Sequence, residues 1–208
     1  MSDAREDKRT TIIRAALKLF ARAGFEATSV DDIARESGFG KGTLYLYFKD
    51  KEDLYYNTLL DVFEAFEQAV RNSIDSGRRS DEILQRVAAG MIAFFAGNRD
   101  TFRLLHAMSG SGSWPLNQKL MEPVRSKVER LLVFEEEVIE RGKREGLFRS
   151  DIASRDMVYG FTGMVNFAMQ SLFFAAPGEP VDAAKRAEAI MKIFLEGVAL
   201  KVPAPASL

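Results

Sequence analysis

The 208-residue chain contains no cysteine and only one histidine, His106. Without cysteine it can form no disulfide and can offer no thiolate to a metal ion. A single imidazole also argues against zinc sites built from several histidines and against most serine–histidine or cysteine–histidine catalysis. We therefore expect no catalytic residue, no metal site and no cofactor, and the lack of cysteine fits a reducing cytoplasm.

An excess of positive charge is also lacking. The chain carries 29 Lys and Arg against 30 Asp and Glu, for a net charge of −1. Residues 1–55 contain ten basic and ten acidic side chains. If the protein binds nucleic acid, its basic groups must be placed locally, because they are not in surplus overall.

Charged residues are absent from one long stretch, residues 157–176. Its twenty residues are long enough to span a membrane. However, it includes Tyr159, Asn166 and Gln170, and no basic cluster flanks it to orient a span. We expect no membrane insertion and interpret the segment as a helix buried within the protein or between subunits.

No alternating strand pattern is present, and apolar residues recur instead at helical spacing. The predicted fold is all-α, with three short N-terminal helices followed by a larger helical bundle. Gly24 ends the first helix, Thr28 or Ser29 caps the second and Asp50 caps the fourth. The predicted later helices cover residues 81–97, 99–108, 116–145, 152–175 and 181–201.

Glycines at positions 38, 40 and 42 introduce the stretch GFGKGTLYLYFKDKEDLY. A phosphate-binding loop would follow a strand, and no strand precedes this stretch. A helix-turn-helix fits better, with Gly38 at the turn and Leu44 and Phe48 holding a second helix over residues 41–48. The side chains expected to point outward from that helix are Lys41, Gly42, Thr43, Tyr45 and Tyr47.

These outward residues suit the major groove of DNA. Glycine admits a close backbone approach, and threonine can hydrogen-bond a base or phosphate and offer its methyl group to thymine. Tyrosine hydroxyls reach phosphates, and Lys51 would add a phosphate contact. The alternative, that the tyrosines are core residues, is weaker because Leu44 and Phe48 already fill that role.

The run AALKLFARAGFEATSVDDIARESGFGKGTLYLYFKDKEDLY resembles the DNA-binding domain of the tetracycline-repressor (TetR) family. The resemblance covers roughly residues 9–56, about a quarter of the chain. It implies a transcriptional regulator, in most cases a repressor, that binds a palindromic operator as a homodimer and is not an enzyme. It divides the chain into a DNA-binding domain, residues 1–50, and a ligand-binding and dimerisation domain, residues 51–208.

The resemblance also implies which residues touch DNA. They are Thr28 and Ser29 at the start of the second helix, with Lys41, Gly42, Thr43, Tyr45, Tyr47 and Lys51. Leu46 departs from the tyrosine or polar residue of many relatives, and Gly40 stands where a small polar residue is common. Both departures bear on which operator sequence is bound, and not on DNA binding itself.

The C-terminal region is rich in Phe and Met, which suit an adaptable apolar cavity for a small hydrophobic effector. For any single residue, core packing is the simpler interpretation. The candidate effector-binding residues are Phe66, Phe94, Phe102, Leu105, His106, Trp114, Phe134, Met164, Asn166, Phe167 and Gln170. Asn166 and Gln170 share a helix face, and as buried amides they would pair across a dimer or orient a ligand.

Dimerisation is expected through the last two helices, which would form an intermolecular four-helix bundle. The predicted contacts on the final helix are Ala187, Ile190, Met191, Phe194 and Val198, and Gly160 and Gly163 would permit close approach. The run FEEEVIER is interpreted as a solvated helix face rather than a catalytic cluster. A helical adaptor or an enzyme without DNA binding stays the alternative, and the effector's identity and direction of action are open.

Overall fold

The computed structural model describes residues 2–73, 77–110, 118–171 and 181–196. These residues form nine helices and no strand, so the predicted all-α fold is confirmed for this part of the chain. The helices are α1 (Ser2–Ala27), α2 (Val30–Ser37), α3 (Lys41–Tyr45), α4 (Lys51–Ser73), α5 (Ser80–Gly97), α6 (Arg99–Gly110), α7 (Gln118–Arg144), α8 (Ser154–Gln170) and α9 (Ala183–Glu196).

The chain forms two compact units. The first unit comprises residues 1–71 and 94–131, and the second comprises residues 72–93 and 132–208. The functional division at residue 50 remains a prediction, because compactness does not report which residues serve which task.

In the first unit, α1 packs against α2 and α6 around an apolar core. Side chains from α1 to α4 are almost entirely buried there, among them Ile12, Phe20, Ile33, Leu44 and Leu54. Gly24 interrupts α1 with φ 80° and ψ 171°, a backbone conformation that favours glycine, and the chain then regains helical structure as far as Ala27.

Local capping fixes the start and end of α2. The Ser29 hydroxyl accepts a hydrogen bond from the Asp32 amide, while the Asp32 carboxylate accepts one from the Ser29 amide, forming a capping box. Gly38 ends the helix in the left-handed conformation, with φ 74°. Of the two caps that the sequence allows, Ser29 is therefore the one used.

In the second unit, α8 packs against α9. Phe161 is fully buried and its ring lies 5.6 Å from that of Phe194, whose ring lies 6.3 Å from that of Phe148. The start of α8 is joined to α7 by polar contacts, since the Ser154 hydroxyl donates to Glu140 and Arg155 pairs with Glu136 at 2.9 Å.

None of the described helices is long and apolar enough to cross a membrane. The uncharged segment predicted from the sequence contributes most of α8, and residues 172–176 of it lie outside the described residues.

Candidate nucleic-acid interface

A tight turn presents α3 to solvent. After Gly38, the Phe39 amide donates to the Ala34 carbonyl at 3.1 Å, and extended Gly40 begins α3 without a side-chain cap. The helix covers only residues 41–45, whereas the sequence predicted 41–48. Leu46 and Tyr47 follow as a turn, and the Tyr47 and Phe48 amides both lie 3.0 Å from the Leu44 carbonyl.

The inner face of this segment is fixed by two apolar side chains. Leu44 is 1% exposed and Phe48 is 3% exposed, and both belong to the core cluster of the first unit. Nearby, the Tyr55 ring of α4 lies 4.8 Å from Phe20 and 5.1 Å from Phe25, both in edge-on geometry. A rigid core therefore holds α3, as a reading helix requires.

The outer face of α3 is open. Lys41, Gly42 and Tyr45 are exposed, and Leu46, just past the helix, has 74% of its surface exposed. Thr43 is half-buried. Tyr47 does not point fully outward as predicted: it is half-buried and packs against the core cluster, since the helix ends before it.

Carboxylates of α2 pair with the lysine at the start of α3 and with an arginine of α2 itself. The Lys41 ammonium lies 3.1 Å from the Asp31 carboxylate, and this hydrogen bond raises the pKa of Lys41. Asp32 pairs with Arg35 at 3.3 Å. Asp31 lies ten residues before Lys41, and no short-range sequence pattern predicts this contact.

The two residues predicted to touch phosphate at the start of α2 are already engaged. Thr28 is 3% exposed, and its hydroxyl donates to the Gly24 carbonyl at 2.7 Å. Ser29 is exposed, but its hydroxyl donates to Asp32 at 2.6 Å. Thr28 thus stabilises the chain where Gly24 interrupts α1, and the Ser29 hydroxyl belongs to the capping box.

Lys51 also has internal partners. Its ammonium donates to the Phe25 carbonyl at 2.9 Å and lies 4.2 Å from the centre of the Phe25 ring. This geometry combines a charge-assisted hydrogen bond with a cation–π contact. Lys51 therefore ties the first turn of α4 to the last turn of α1.

The candidate effector residues of the first unit form a packed aromatic cluster. The Phe66 ring lies 5.6 Å from Phe94 and 5.2 Å from Phe95, and Phe95 lies 5.4 Å from Phe102. Leu105 is half-buried. The His106 side chain and all of Trp114 lie outside the described residues.

The candidates of the second unit are spread over α7 and α8. Phe134, Met164 and Gln170 are half-buried, Asn166 is exposed, and 72% of Phe167 is exposed. The premise that Asn166 is a buried amide is therefore wrong within this protomer. Asn166 and Phe167 instead lie on the solvent-facing side of α8.

The final helix also differs from the prediction. Ala187, Ile190 and Met191 are buried inside the protomer, so they fill its own core and are not free to contact a partner. Phe194 is half-buried, with ring contacts to Phe148 and Phe161, and Val198 lies outside the described residues. The large apolar side chains that are exposed on α8 and α9 are Tyr159, Phe167, Ile193 and Leu195.

The interpretation of FEEEVIER as a solvated face is wrong for one of its acidic residues. Glu135 is fully buried, and its carboxyl lies 2.6 Å from the Thr162 hydroxyl of α8. Burial raises the pKa of Glu135 to about 7, against the opposing effect of the Thr162 hydrogen bond. The sequence does contain a sign that Glu135 is buried, since Leu131, Glu135 and Val138 recur at the spacing of one helix face.

Comparison with known proteins identifies this N-terminal architecture. The family model described as "Bacterial regulatory proteins, tetR family" matches residues 12–56, which contain the whole helix-turn-helix. Residues 12–56 are therefore a DNA-binding domain of the TetR family. The chain is 33% identical over 106 residues to the HTH-type transcriptional regulator HbdR of Aromatoleum sp. (strain CIB), a match that covers 51% of this chain and 46% of that regulator.

Other relatives extend further along the chain. The Fatty acid metabolism regulator protein of Bacillus subtilis (strain 168) is 28% identical over 151 residues, covering 72% of this chain and 76% of that protein. FadR from Bacillus subtilis, solved in complex with stearoyl-CoA, superposes with a TM-score of 0.77 at 18% identity, over 91% of this chain and 99% of FadR.

PfmR from Thermus thermophilus superposes with a TM-score of 0.75 at 24% identity, over 91% of this chain and 99% of PfmR. At such identities the structural likeness establishes the fold. The relatives are named as transcriptional regulators, and the part of this chain that the family model matches contains a DNA-binding helix-turn-helix of the TetR type.

Proposed function

We propose that this protein is a cytoplasmic repressor that binds a palindromic operator as a homodimer and releases it when a small hydrophobic effector binds. The observation that carries the proposal is the rigidly held α3 segment, whose outer face exposes Lys41, Gly42 and Tyr45. An exposed helix anchored by Leu44 and Phe48 is the geometry that major-groove reading requires.

The proposed DNA contacts fall into two groups. Lys41, Gly42, Thr43 and Tyr45 meet base edges and phosphates directly, and Ser29 approaches the backbone. The internal contacts of Thr28, Tyr47 and Lys51 favour a positioning role, in which they hold α1, α3 and α4 in register.

Dimerisation is proposed through α8 and α9, in line with the dimers of the family. Exposed Tyr159, Phe167, Ile193 and Leu195 supply an apolar surface on these helices. Gly160 and Gly163 have no neighbouring atom within 4 Å of the position that a Cβ would take, so that another helix has room to approach. Two reading helices roughly 34–36 Å apart would enter successive major grooves.

The effector is proposed to bind in the region C-terminal to residue 50. A molecule with a long apolar body is supported by the Bacillus subtilis matches, since one is named for fatty acid metabolism and FadR was solved with stearoyl-CoA. An effector that favours a different spacing of the reading helices weakens operator binding, and a coupling of about 1–3 kcal/mol gives a response of about 5- to 150-fold.

Combining Lys41→Ala with Tyr45→Ala tests the proposed interface. Both side chains are exposed, so the fold and the dimer should persist while affinity for the protein's own promoter DNA falls by about a hundred-fold. Fluorescence anisotropy measures binding, and circular dichroism with light scattering checks folding and assembly. A folded, dimeric variant that binds the promoter like the wild type would overturn the proposal.

Asp31→Asn should have the opposite effect. The carboxylate holds Lys41 and lies beside the surface that phosphates would approach, so its removal should tighten DNA binding about three- to ten-fold. The slope of log affinity against log salt should become more negative by about one. In the wild type, a DNA phosphate replaces the Asp31 carboxylate on Lys41, whereas in the variant it displaces a solution counterion.

Glu36→Gln is the matched control for this substitution. It removes one negative charge from the same helix, but Glu36 pairs with Lys18 of α1 and not with α3. An equal change in both variants would mean that only net charge matters, and it would remove Asp31 from the interface.

A further inference from the structure

Only one of the two carboxyl oxygens of Glu135, in the interior of the second unit, has a hydrogen-bond partner among the described residues. The residue is fully buried on α7, and its Oε2 lies 2.6 Å from the Thr162 hydroxyl. Its other oxygen, Oε1, is buried and has no hydrogen-bond partner among the described residues. A buried polar atom without a partner costs free energy, so the fold gains nothing from this oxygen as it stands.

Joining α7 to α8 does not require Glu135. Two neighbouring acids on α7 already make such contacts, since Glu136 pairs with Arg155 and Glu140 accepts a hydrogen bond from Ser154. Both contacts are made by partly or fully exposed acids, whereas Glu135 faces inward. A purely structural link at this position would be served equally well by an apolar side chain.

Apolar side chains flank the Glu135–Thr162 pair along both helices. Within about one helical turn lie buried Val138 and Ile139 on α7, and buried Val158, Phe161 and Val165 on α8. The candidate effector residues Phe134 and Met164 stand one residue from Glu135 and two from Thr162 in the sequence. A small polar point within an apolar lining is the usual composition of a small-molecule site.

No cation in the described part of the chain balances Glu135. Its pKa responds to burial, which raises it to about 7, and to the Thr162 hydroxyl, which lowers it, with no charged side chain contributing. Arg155 on α8 is engaged by Glu136. An acid that titrates near neutral pH in an apolar interior marks a candidate binding site.

We propose that Glu135 and Thr162 form the polar recognition point for an effector that carries a protonated amine on an apolar body. The ammonium donates to the open Oε1 and supplies the positive charge that the protein lacks at this point. The proposal rests on the effector-binding part of the proposed function and narrows the effector class. It disfavours ligands with a carboxylate head, because two anions would meet in an apolar site.

The pH dependence of binding follows from the same chemistry. An ammonium binds the ionised carboxylate better than the neutral acid, and the ionised fraction of Glu135 grows as pH rises through about 7. Affinity for the amine therefore rises from pH 6 to pH 8, and binding at pH 7 releases protons.

Three probes of equal chain length test the proposal: octylammonium, 1-octanol and octanoate. Isothermal titration calorimetry is run on the wild-type protein, Glu135→Gln and Glu137→Gln, which neutralises an exposed acid on the same helix. Octylammonium should bind the wild type and Glu137→Gln alike and bind Glu135→Gln at least about ten-fold more weakly. Octanol should bind less tightly than octylammonium, and octanoate least.

Three outcomes would overturn the inference: no octylammonium binding to the wild type, equal binding to Glu135→Gln, or a preference for octanoate. Thermal unfolding of each variant, measured separately, excludes misfolding as the cause of lost binding. Promoter binding by the wild type is scored in a parallel assay without probe. If the wild type binds its promoter but gives any of the three outcomes, only this inference is wrong. If the wild type does not bind its promoter, the proposed repressor function is wrong.

Discussion

Glu135→Gln should raise the free energy of unfolding at pH 8 by about 3 kcal/mol relative to the wild type. The folded-state pKa of Glu135 is about 7, against an ordinary value of 4.5. Since the folded pKa is raised, the proton-linked stabilisation is complete below about pH 4.5 and is lost as pH rises through about 7. Glutamine stays neutral and keeps a hydrogen bond to Thr162, so the variant avoids this loss.

Urea unfolding between pH 5 and pH 8 measures the effect. The free energy of unfolding of the wild type should decrease as pH rises, and that of Glu137→Gln should decrease in parallel. The free energy of unfolding of Glu135→Gln should lack this decrease. Parallel curves for all three proteins would mean that Glu135 titrates normally and is hydrated.

Gly142→Ala should destabilise the protein by about 2–3 kcal/mol. A Cβ on Gly142 would lie 2.1 Å from Cε2 and 2.2 Å from Cδ2 of Phe148, far inside van der Waals contact. The Phe148 ring is 7% exposed and must leave its position against α7. Overpacking and lost burial outweigh the gain of up to about 1 kcal/mol that alanine brings to a helix.

Gly97→Ala is the control for the alanine effect itself, because no atom lies within 4 Å of its added Cβ. It should leave stability unchanged or slightly raised in the same denaturation experiment. If Gly142→Ala were as stable as Gly97→Ala, the close packing of Phe148 on α7 would be wrong.

Much of the fold follows from local sequence. The capping box at Ser29, the left-handed Gly38 and the apolar spacing of Ile33, Leu44 and Phe48 are written in short stretches of residues. Local backbone chemistry decides such features, and so the all-α fold and the helix-turn-helix were predictable.

The environments of individual site residues depend on contacts between helices. The periodicity of apolar residues along the sequence does not report those contacts. Tyr47 packs inward because α3 ends at Tyr45, and Lys51 turns to a carbonyl of α1. Asp31 reaches a lysine ten residues away. Each case is decided by where helices meet, and a single sequence pattern does not specify that.

The same limit explains the errors in the C-terminal region. Apolar periodicity shows that Ile190 and Met191 share a buried face, but it does not distinguish burial in the protomer from burial against a partner. For Glu135, residue type suggested solvent although its position on the helix indicated the core. Position on the helix face was the better guide to burial.

The central claim, that the exposed face of α3 reads DNA, is tested most directly with the wild-type protein and two duplexes. One duplex carries the protein's own promoter, and the other has the same length and composition in shuffled order. Anisotropy titrations over a range of salt concentrations should show a preference of about a thousand-fold or more for the promoter, with affinity for both falling as salt rises. Equal affinity for the two duplexes, or binding that does not respond to salt, would contradict the account.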